Sequence, residues 1–439
     1  MKSSILILLS IFILCSSYAQ TAKSLNDKGI AKYNKNDYAG AIADYSKAIE
    51  IDPNFSIAFS NRGSAKLALQ DFNAAIADFT KAIELKPDFA EAYCYRGNTL
   101  AKMGNLNESI ADYSKSLEIK PDYAEAYYNR GIAKSRLQDD KGAAEDFSKT
   151  IELNPSFGPA YYNRGVVKTY IMDDKGAIED FSKALESDPS NAMAFYYRGV
   201  AKVNLSDDRG AIADFTKAVE INAGFPEAYK SRGDSKSFLL DSIGAMADYN
   251  KAIELNSNFA EAYCNRGITK LGFQDINRAI ADLNKALEIN PDYEVAYFNR
   301  GVAKLQSGDL AESISDLTEA LAFNPQNAEA LYFRGNAKMK LKKNKEAIDD
   351  YNKAIQIKPA YAVAYYNRGT AKLALMDYTN AIADFSKCIS FMPKYAAAYY
   401  NRGLAKNKTA QADNGCSDFA KALELGDPDA ADAIQKLCK

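Results

Sequence analysis

Residues 124–157 read AEAYYNRGIAKSRLQDDKGAAEDFSKTIELNPSF, and residues 158–191, directly after them, read GPAYYNRGVVKTYIMDDKGAIEDFSKALESDPSN. With Gly131 counted as position 8 of a unit, a glycine recurs at that position at one constant interval, from Gly29, Gly63 and Gly97 through to Gly403. Twelve units follow one another from Ala22 to Asp429 without insertion or deletion, leaving a short tail. A chain of 439 residues exceeds what one ordinary core organises, and a fixed period of this length is the mark of a repeat architecture.

Inside each unit, apolar and small residues recur at three- and four-residue spacing, which predicts two amphipathic helices joined by a tight turn. Tyr127, Gly131 and Ala133 mark the first helix of the quoted unit, and Ala143, Phe147 and Ile151 the second. Aspartates at position 16, such as Asp37, Asp71, Asp139, Asp173, Asp207 and Asp241, stand where an N-cap accepts a backbone N–H. Proline at position 32, as in Pro53, Pro155 and Pro393, ends the second helix. Two interior junctions lack it, at Ala223 and Ser257, so helix exit there is expected to be less constrained. Small residues at positions 8, 20 and 27 let the paired backbones approach. Aromatics at position 24, among them Tyr45, Phe79 and Phe147, are expected to be core rather than a cofactor box.

An aromatic four residues before a glycine, followed by Ala-x-x-x-Phe and then proline, resembles the tetratricopeptide repeat (TPR), and the resemblance spans residues 22–429. It implies an all-α, right-handed superhelical solenoid of helix-turn-helix repeats, whose first helices line a groove for protein or peptide. Residues 430–439 are expected to form a C-terminal capping helix.

Several positions depart from the family pattern. Position 4 carries tyrosine, phenylalanine or leucine in place of tryptophan. Position 7, usually leucine, is arginine in eleven units, including Arg62, Arg96, Arg130 and Arg164, with Lys28 in the first. Position 11 is lysine in every unit but one, and position 23 is always aspartate, including Asp44, Asp78, Asp112 and Asp146. Such arginines could bind phosphate or an acidic ligand; an internal arginine–aspartate ladder is the favoured reading. Lys28 suggests that each arginine reaches the preceding unit's aspartate, Arg130 to Asp112, because the first unit alone lacks such a neighbour.

In the resembled family, position 6 faces the groove. Here it carries Asn61, Asn129, Asn163, Asn265, Asn299, Asn367 and Asn401. An amide offers both donor and acceptor to an extended peptide. Position 5 beside it carries Tyr128, Tyr162, Tyr196, Tyr332, Tyr366 and Tyr400, with an apolar body and polar tip suited to an adaptable interface. The competing reading is that both rows bond only within the solenoid. The family's carboxylate clamp for chaperone tails is absent: Lys230 occupies a position 5, but Asp234 follows at position 9, and no position 6 is arginine.

With no histidine, no Ser-His-Asp or Cys-His catalytic set can be assembled, and Cys and carboxylates show no metal-ligand spacing. The chain is read as not an enzyme, without cofactor, metal or small-molecule substrate. A net charge of −2 provides no field for nucleic acid. Lys2, an apolar run Ile5–Leu14 and Ser17-Tyr18-Ala19 resemble a secretory signal over residues 1–19, cleaved after Ala19. The run is too short to span a membrane, so no membrane span is expected after cleavage. Lipidation at Cys15 is the alternative, disfavoured by Leu14 before it. Five cysteines remain. Cys94 and Cys264 lie five units apart and Cys388 replaces a core residue, which leaves Cys416 and Cys438 as the expected disulfide, clamping the terminal helix. The expectation is therefore an exported, periplasmic or secreted, scaffold for protein or peptide. Self-assembly through solenoid ends or edges is the rival reading.

Overall fold

The computed structural model describes residues 21–409 and 412–438, with the side chains of 412–414 left aside. The signal segment, with its cleavage after Ala19 and the Cys15 alternative, lies outside the described residues. The described residues are all-α, and they form two compact units, one ending at Ala223 and the other beginning at Gly224.

The first unit holds six helical hairpins. They begin with helices at 21–33 and Tyr38–Ile51, and run through Ala124–Arg136 with Asp140–Leu153 and Gly158–Tyr170 with Asp174–Ser187 to Ala192–Asn204 with Asp208–Ile221. The second holds six more, from Pro226–Phe238 with Ser242–Leu255 to Ala396–Asn407 with Ala412–Glu424, and then Ala430–Leu437 packed on the last hairpin. Within each unit every helix packs on its neighbours in sequence.

Local chemistry fixes these boundaries. The carboxylates of Asp37, Asp71, Asp139, Asp173, Asp207 and Asp241 each accept the backbone N–H three residues on, so the second helices start on the expected caps. At the other end, the residue before the proline is extended, as at Lys86 (φ −138°, ψ 88°) before Pro87, because proline disfavours a helical predecessor. The junctions without proline end in the same way: Asn256 has φ −137° and ψ 95°. The missing prolines at Ala223 and Ser257 therefore change neither helix exit.

The core is a column of position-24 side chains, each fitted against a position-8 glycine. Phe79, Phe147, Phe181 and Phe385 are at most 1% exposed. A Cβ added at Gly131 would lie 2.8 Å from Cε1 of Phe147, and one at Gly63 would lie equally close to Phe79. The glycine interval that sets the period is thus a steric requirement of the ring opposite. Gly131→Ala is expected to cost about 1–3 kcal/mol through overpacking. Gly272→Ala, where a Cβ meets nothing within 4 Å, should cost nothing or stabilise slightly. Urea unfolding midpoints of the two variants check this, and equal midpoints would refute the packing role.

Candidate functional site

The recurring polar side chains of the first helices divide into a charged ladder and a tyrosine–asparagine face. In the ladder, Arg62, Arg96, Arg130 and Arg164 each hold the aspartate of their own repeat in a two-pronged bond. For Arg130, Nε lies 2.9 Å from Oδ2 of Asp146 and Nη2 2.7 Å from Oδ1. All eleven position-7 arginines pair in this way. The expected pairing of Arg130 with Asp112 of the preceding repeat is therefore wrong. Asp112 is taken by Arg96, and Asp44 of the first repeat by Lys32.

What crosses between repeats is the third arm of the guanidinium. Nη1 of Arg130 donates to Ser114 Oγ at 3.0 Å, Nη1 of Arg96 to Thr80 and Nη1 of Arg62 to Ser46. In the second unit Arg266, Arg300 and Arg368 donate likewise to Asn250, Asn284 and Asn352. These acceptors all occupy position 25 of the preceding repeat. That position is serine, threonine or asparagine in every repeat except the twelfth, which has Ala420 and is followed by the terminal helix. Reading position 25 alongside position 7 would have exposed this bond. Lys28 stands in the first repeat, where the third arm has no position-25 residue of a preceding repeat to reach.

Two more contacts lock the arginine. Lys134 reaches the same carboxylate, with Nζ 2.8 Å from Oδ2 of Asp146. The guanidinium carbon of Arg130 lies over the Tyr127 ring, 5.5 Å from its centre, and Arg62 lies likewise over Phe59. The tyrosine that replaces the family's tryptophan is thus the platform on which the arginine rests. Asp146 is 3% exposed, so all its bonding capacity is spent inside the protein. A ladder closed in this way has nothing to offer a phosphate.

The asparagines of position 6 also donate within the chain. Asn61 bonds Asn26, Asn129 bonds Asn98, and Asn265 bonds Asp234. Asn163 and Asn401 bond the hydroxyls of Tyr128 and Tyr366. Asn367 bonds both Tyr332 and Asn336, while Asn299 turns back to the Val295 carbonyl of its own helix. Where the preceding position 9 is asparagine or aspartate, at Asn98, Asp234 and Asn336, it also accepts from the position-24 tyrosine. All of these amide donors except that of Asn299 therefore tie one repeat to the next.

The tyrosines of position 5 remain half-exposed. Tyr128 sits edge-on to Phe157 at 5.0 Å, Tyr332 packs on Tyr361 and Tyr366 on Tyr395. Tyr162 packs on Phe181, Tyr196 on Phe215 and Tyr400 on Phe419. Burial raises the Tyr162 phenol to about 12, with Tyr197 and Tyr170 adding to it, so the face presents neutral hydroxyls. Lys230, expected to stand on this face, is paired with Asp234 at 2.7 Å.

Cys416 and Cys438 are joined, with Cα atoms 5.7 Å apart, tying the terminal helix to the last hairpin. Cys94, Cys264 and Cys388 are free and buried, and burial pushes the Cys94 thiol to about 12, as does Glu125 to a lesser degree. Among the described residues no cluster of acidic or cysteine side chains could hold a metal, and no helix is long and apolar enough to cross a membrane.

Ser114→Ala removes the inter-repeat acceptor and leaves the Arg130–Asp146 pair intact, with an expected cost of about 1–2 kcal/mol. Arg130→Lys loses the fork and the Ser114 bond together and should cost more. Equilibrium unfolding in urea compares them, and a lysine variant no less stable than Ser114→Ala would refute the three-armed arrangement.

The family model described as TPR repeat matches residues 29–70, 63–104, 97–138, 244–271, 274–308 and 335–375, and that described as tetratricopeptide repeat matches 124–157, 295–327 and 362–395. No curated protein sequence matches the chain. Among solved structures, YrrB, described as a TPR protein with an unusual peptide-binding site, is 26% identical. That match covers 42% of this chain and 95% of YrrB, with a TM-score of 0.40. A tetratricopeptide repeat protein from Parabacteroides merdae is 20% identical over 57% of this chain and 99% of its own, with a TM-score of 0.41. The TPR domain of P58(IPK) is 20% identical over 88% and 98%, with a TM-score of 0.36. With repeat models covering more than half of its length, the chain belongs to the tetratricopeptide repeat family, a class of all-α repeat superhelices.

Proposed function

We propose that the chain is a non-enzymatic scaffold that holds a protein or peptide partner on the first-helix face of its repeats, in the cell envelope or outside the cell. TPR repeats mediate protein–protein interaction and bind peptides. The observation that carries the reading is the half-exposed row of position-5 tyrosines, braced on one side by core aromatics and so oriented before a partner arrives. Neutral aromatic hydroxyls give contact area and hydrogen bonds at low entropic cost, as an adaptable binding face requires. Asn163, Asn367 and Asn401 support that face by fixing tyrosine hydroxyls.

Export is supported by the signal-like segment from Met1 to Ala19 and by the Cys416–Cys438 bond, because disulfides persist in oxidising compartments. The absence of histidine, the closed ion-pair ladder and the buried, weakly acidic thiols support a role without catalysis, nucleic acid or small-molecule substrate.

A photo-crosslinking amino acid placed at Tyr162 or Tyr366, with Lys149 on a second helix as control, tests the reading in cells producing the protein. The expected result is covalent adducts with polypeptide from the two tyrosine positions and none from Lys149. Adducts absent from the tyrosine positions, or equal at all three, would reject the first-helix face as the binding surface.

A further inference from the structure

Repeat 5 breaks the pattern at three positions that meet in space. Position 30, at the end of the second helix, is isoleucine, leucine or phenylalanine in every other repeat and Ser187 here. Position 1, mostly alanine, is Gly158, and a Cβ placed on it would come within 2.6 Å of Ser187 Oγ. Position 34 is phenylalanine or tyrosine in nine repeats and Asn191 here. The cavity here, about 270 Å³ and lined by these residues with Tyr128, Pro159, Tyr162 and Asp188, is larger than the one of about 210 Å³ that repeat 4 keeps in the same place between Ala124, Tyr128, Thr150 and Phe157. A second cavity of about 390 Å³, beside Tyr161 and Pro155, shares Gly158 and Ser187 with it.

In other repeats an aromatic ring from position 34 narrows this place. Phe157 lies against Tyr128, Tyr361 against Tyr332 and Tyr395 against Tyr366, with ring centres 4.9–5.1 Å apart. Tyr162 is the equivalent tyrosine of repeat 5, and its partner from position 34 is missing. Asn191 has a local task, since its Oδ1 caps the next helix at Ala194 N. That task does not require the hole. Asn327 makes the same cap in repeat 9, but there Phe323 is kept at position 30 and Glu294 at position 1 bonds Asn327.

We propose that repeat 5 carries a side-chain pocket for an aromatic residue of a bound extended peptide, with a neighbouring lysine or arginine of that peptide paired to Asp188. This rests on the scaffold reading above and names the partner's chemistry. The incoming ring supplies the contact that position 34 makes to the position-5 tyrosine in other repeats, in addition to the edge-on contact Tyr162 has with Tyr197, and Pro159 and Tyr128 provide apolar walls. The basic neighbour follows from the rim. Ser190 donates to Oδ1 of Asp188 through both its N–H and its hydroxyl, which fixes the exposed carboxylate with Oδ2 available to an outside cation. The other two charges beside the shared floor, Lys183 and Glu186, neutralise each other at 2.9 Å.

The test uses the full chain and a displayed library of random dodecapeptides. Peptides enriched on the natural sequence are expected to share an aromatic residue next to lysine or arginine. Each is then synthesised with a fluorescent label and titrated by anisotropy. Ser187→Ile with Asn191→Phe restores the side chains other repeats carry, so the variant should fold with unchanged circular dichroism, and it should bind about tenfold or more weakly. Asp188→Asn should remove the preference for the basic neighbour and retain that for the ring. Should the filled variant misfold, replacing the peptide's aromatic residue by alanine reads the same contact, compared on the natural chain and on Tyr162→Leu. Enriched peptides that bind the filled variant equally, or whose aromatic residue is dispensable, overturn the pocket while the scaffold reading stands. A library that yields no enriched peptide overturns the pocket, and the crosslinking at Tyr162 and Tyr366 decides the scaffold reading separately.

Discussion

The guanidinium at position 7 is the point on which the other contacts converge. It holds the aspartate of its own hairpin with two arms, reaches the preceding hairpin with the third, and rests on an aromatic ring one helical turn earlier. A carboxylate at most 8% exposed would be costly without partners, and here it has an arginine and, in most repeats, a lysine. The net stability from such a pair is modest, but losing one partner leaves a buried charge uncompensated. The ladder therefore fixes the two helices of each hairpin against one another, while the third arm joins one hairpin to the next through a neutral acceptor.

Around this seam the remaining positions follow. The glycine opposite the position-24 ring lets the two helices of a hairpin close to the distance at which arginine meets aspartate. Position 25 must then be a small acceptor, because the third arm of the guanidinium points to it. With charges and core committed to internal bonds, the tyrosines of position 5 are recurrent partly exposed side chains, and on the proposed function their variation between repeats sets specificity. Repeat 5, which gives up three filling side chains at once, is the sharpest such variation.

The period, helix starts at Asp37 or Asp139, the core role of Phe147 and the small-residue seam were legible in the sequence because each rests on local chemistry repeated in unit after unit. The partner of Arg130 was not. Its own aspartate, Asp146, follows it along the chain at nearly the same separation by which the preceding one, Asp112, comes before it, so counting within one period barely distinguishes them. The hint drawn from Lys28 pointed to the wrong acceptor, and the inter-repeat bond runs instead to Ser114 and its equivalents. The asparagines were ambiguous for another reason. An amide serves a peptide or a neighbouring tyrosine equally well, and only the placement of Asn163 beside Tyr128 brings the second use into view.

The most direct test of the ladder is a double-mutant cycle on Arg130 and Asp146, read by native-state hydrogen exchange of the amides in residues 124–157, because repeat arrays need not unfold as one cooperative unit. Arg130→Leu, Asp146→Leu and the double variant should show a coupling of about 2–4 kcal/mol, with the double variant more stable than either single one. Effects that add to within about 0.5 kcal/mol would contradict the ladder as the organising contact of the repeat.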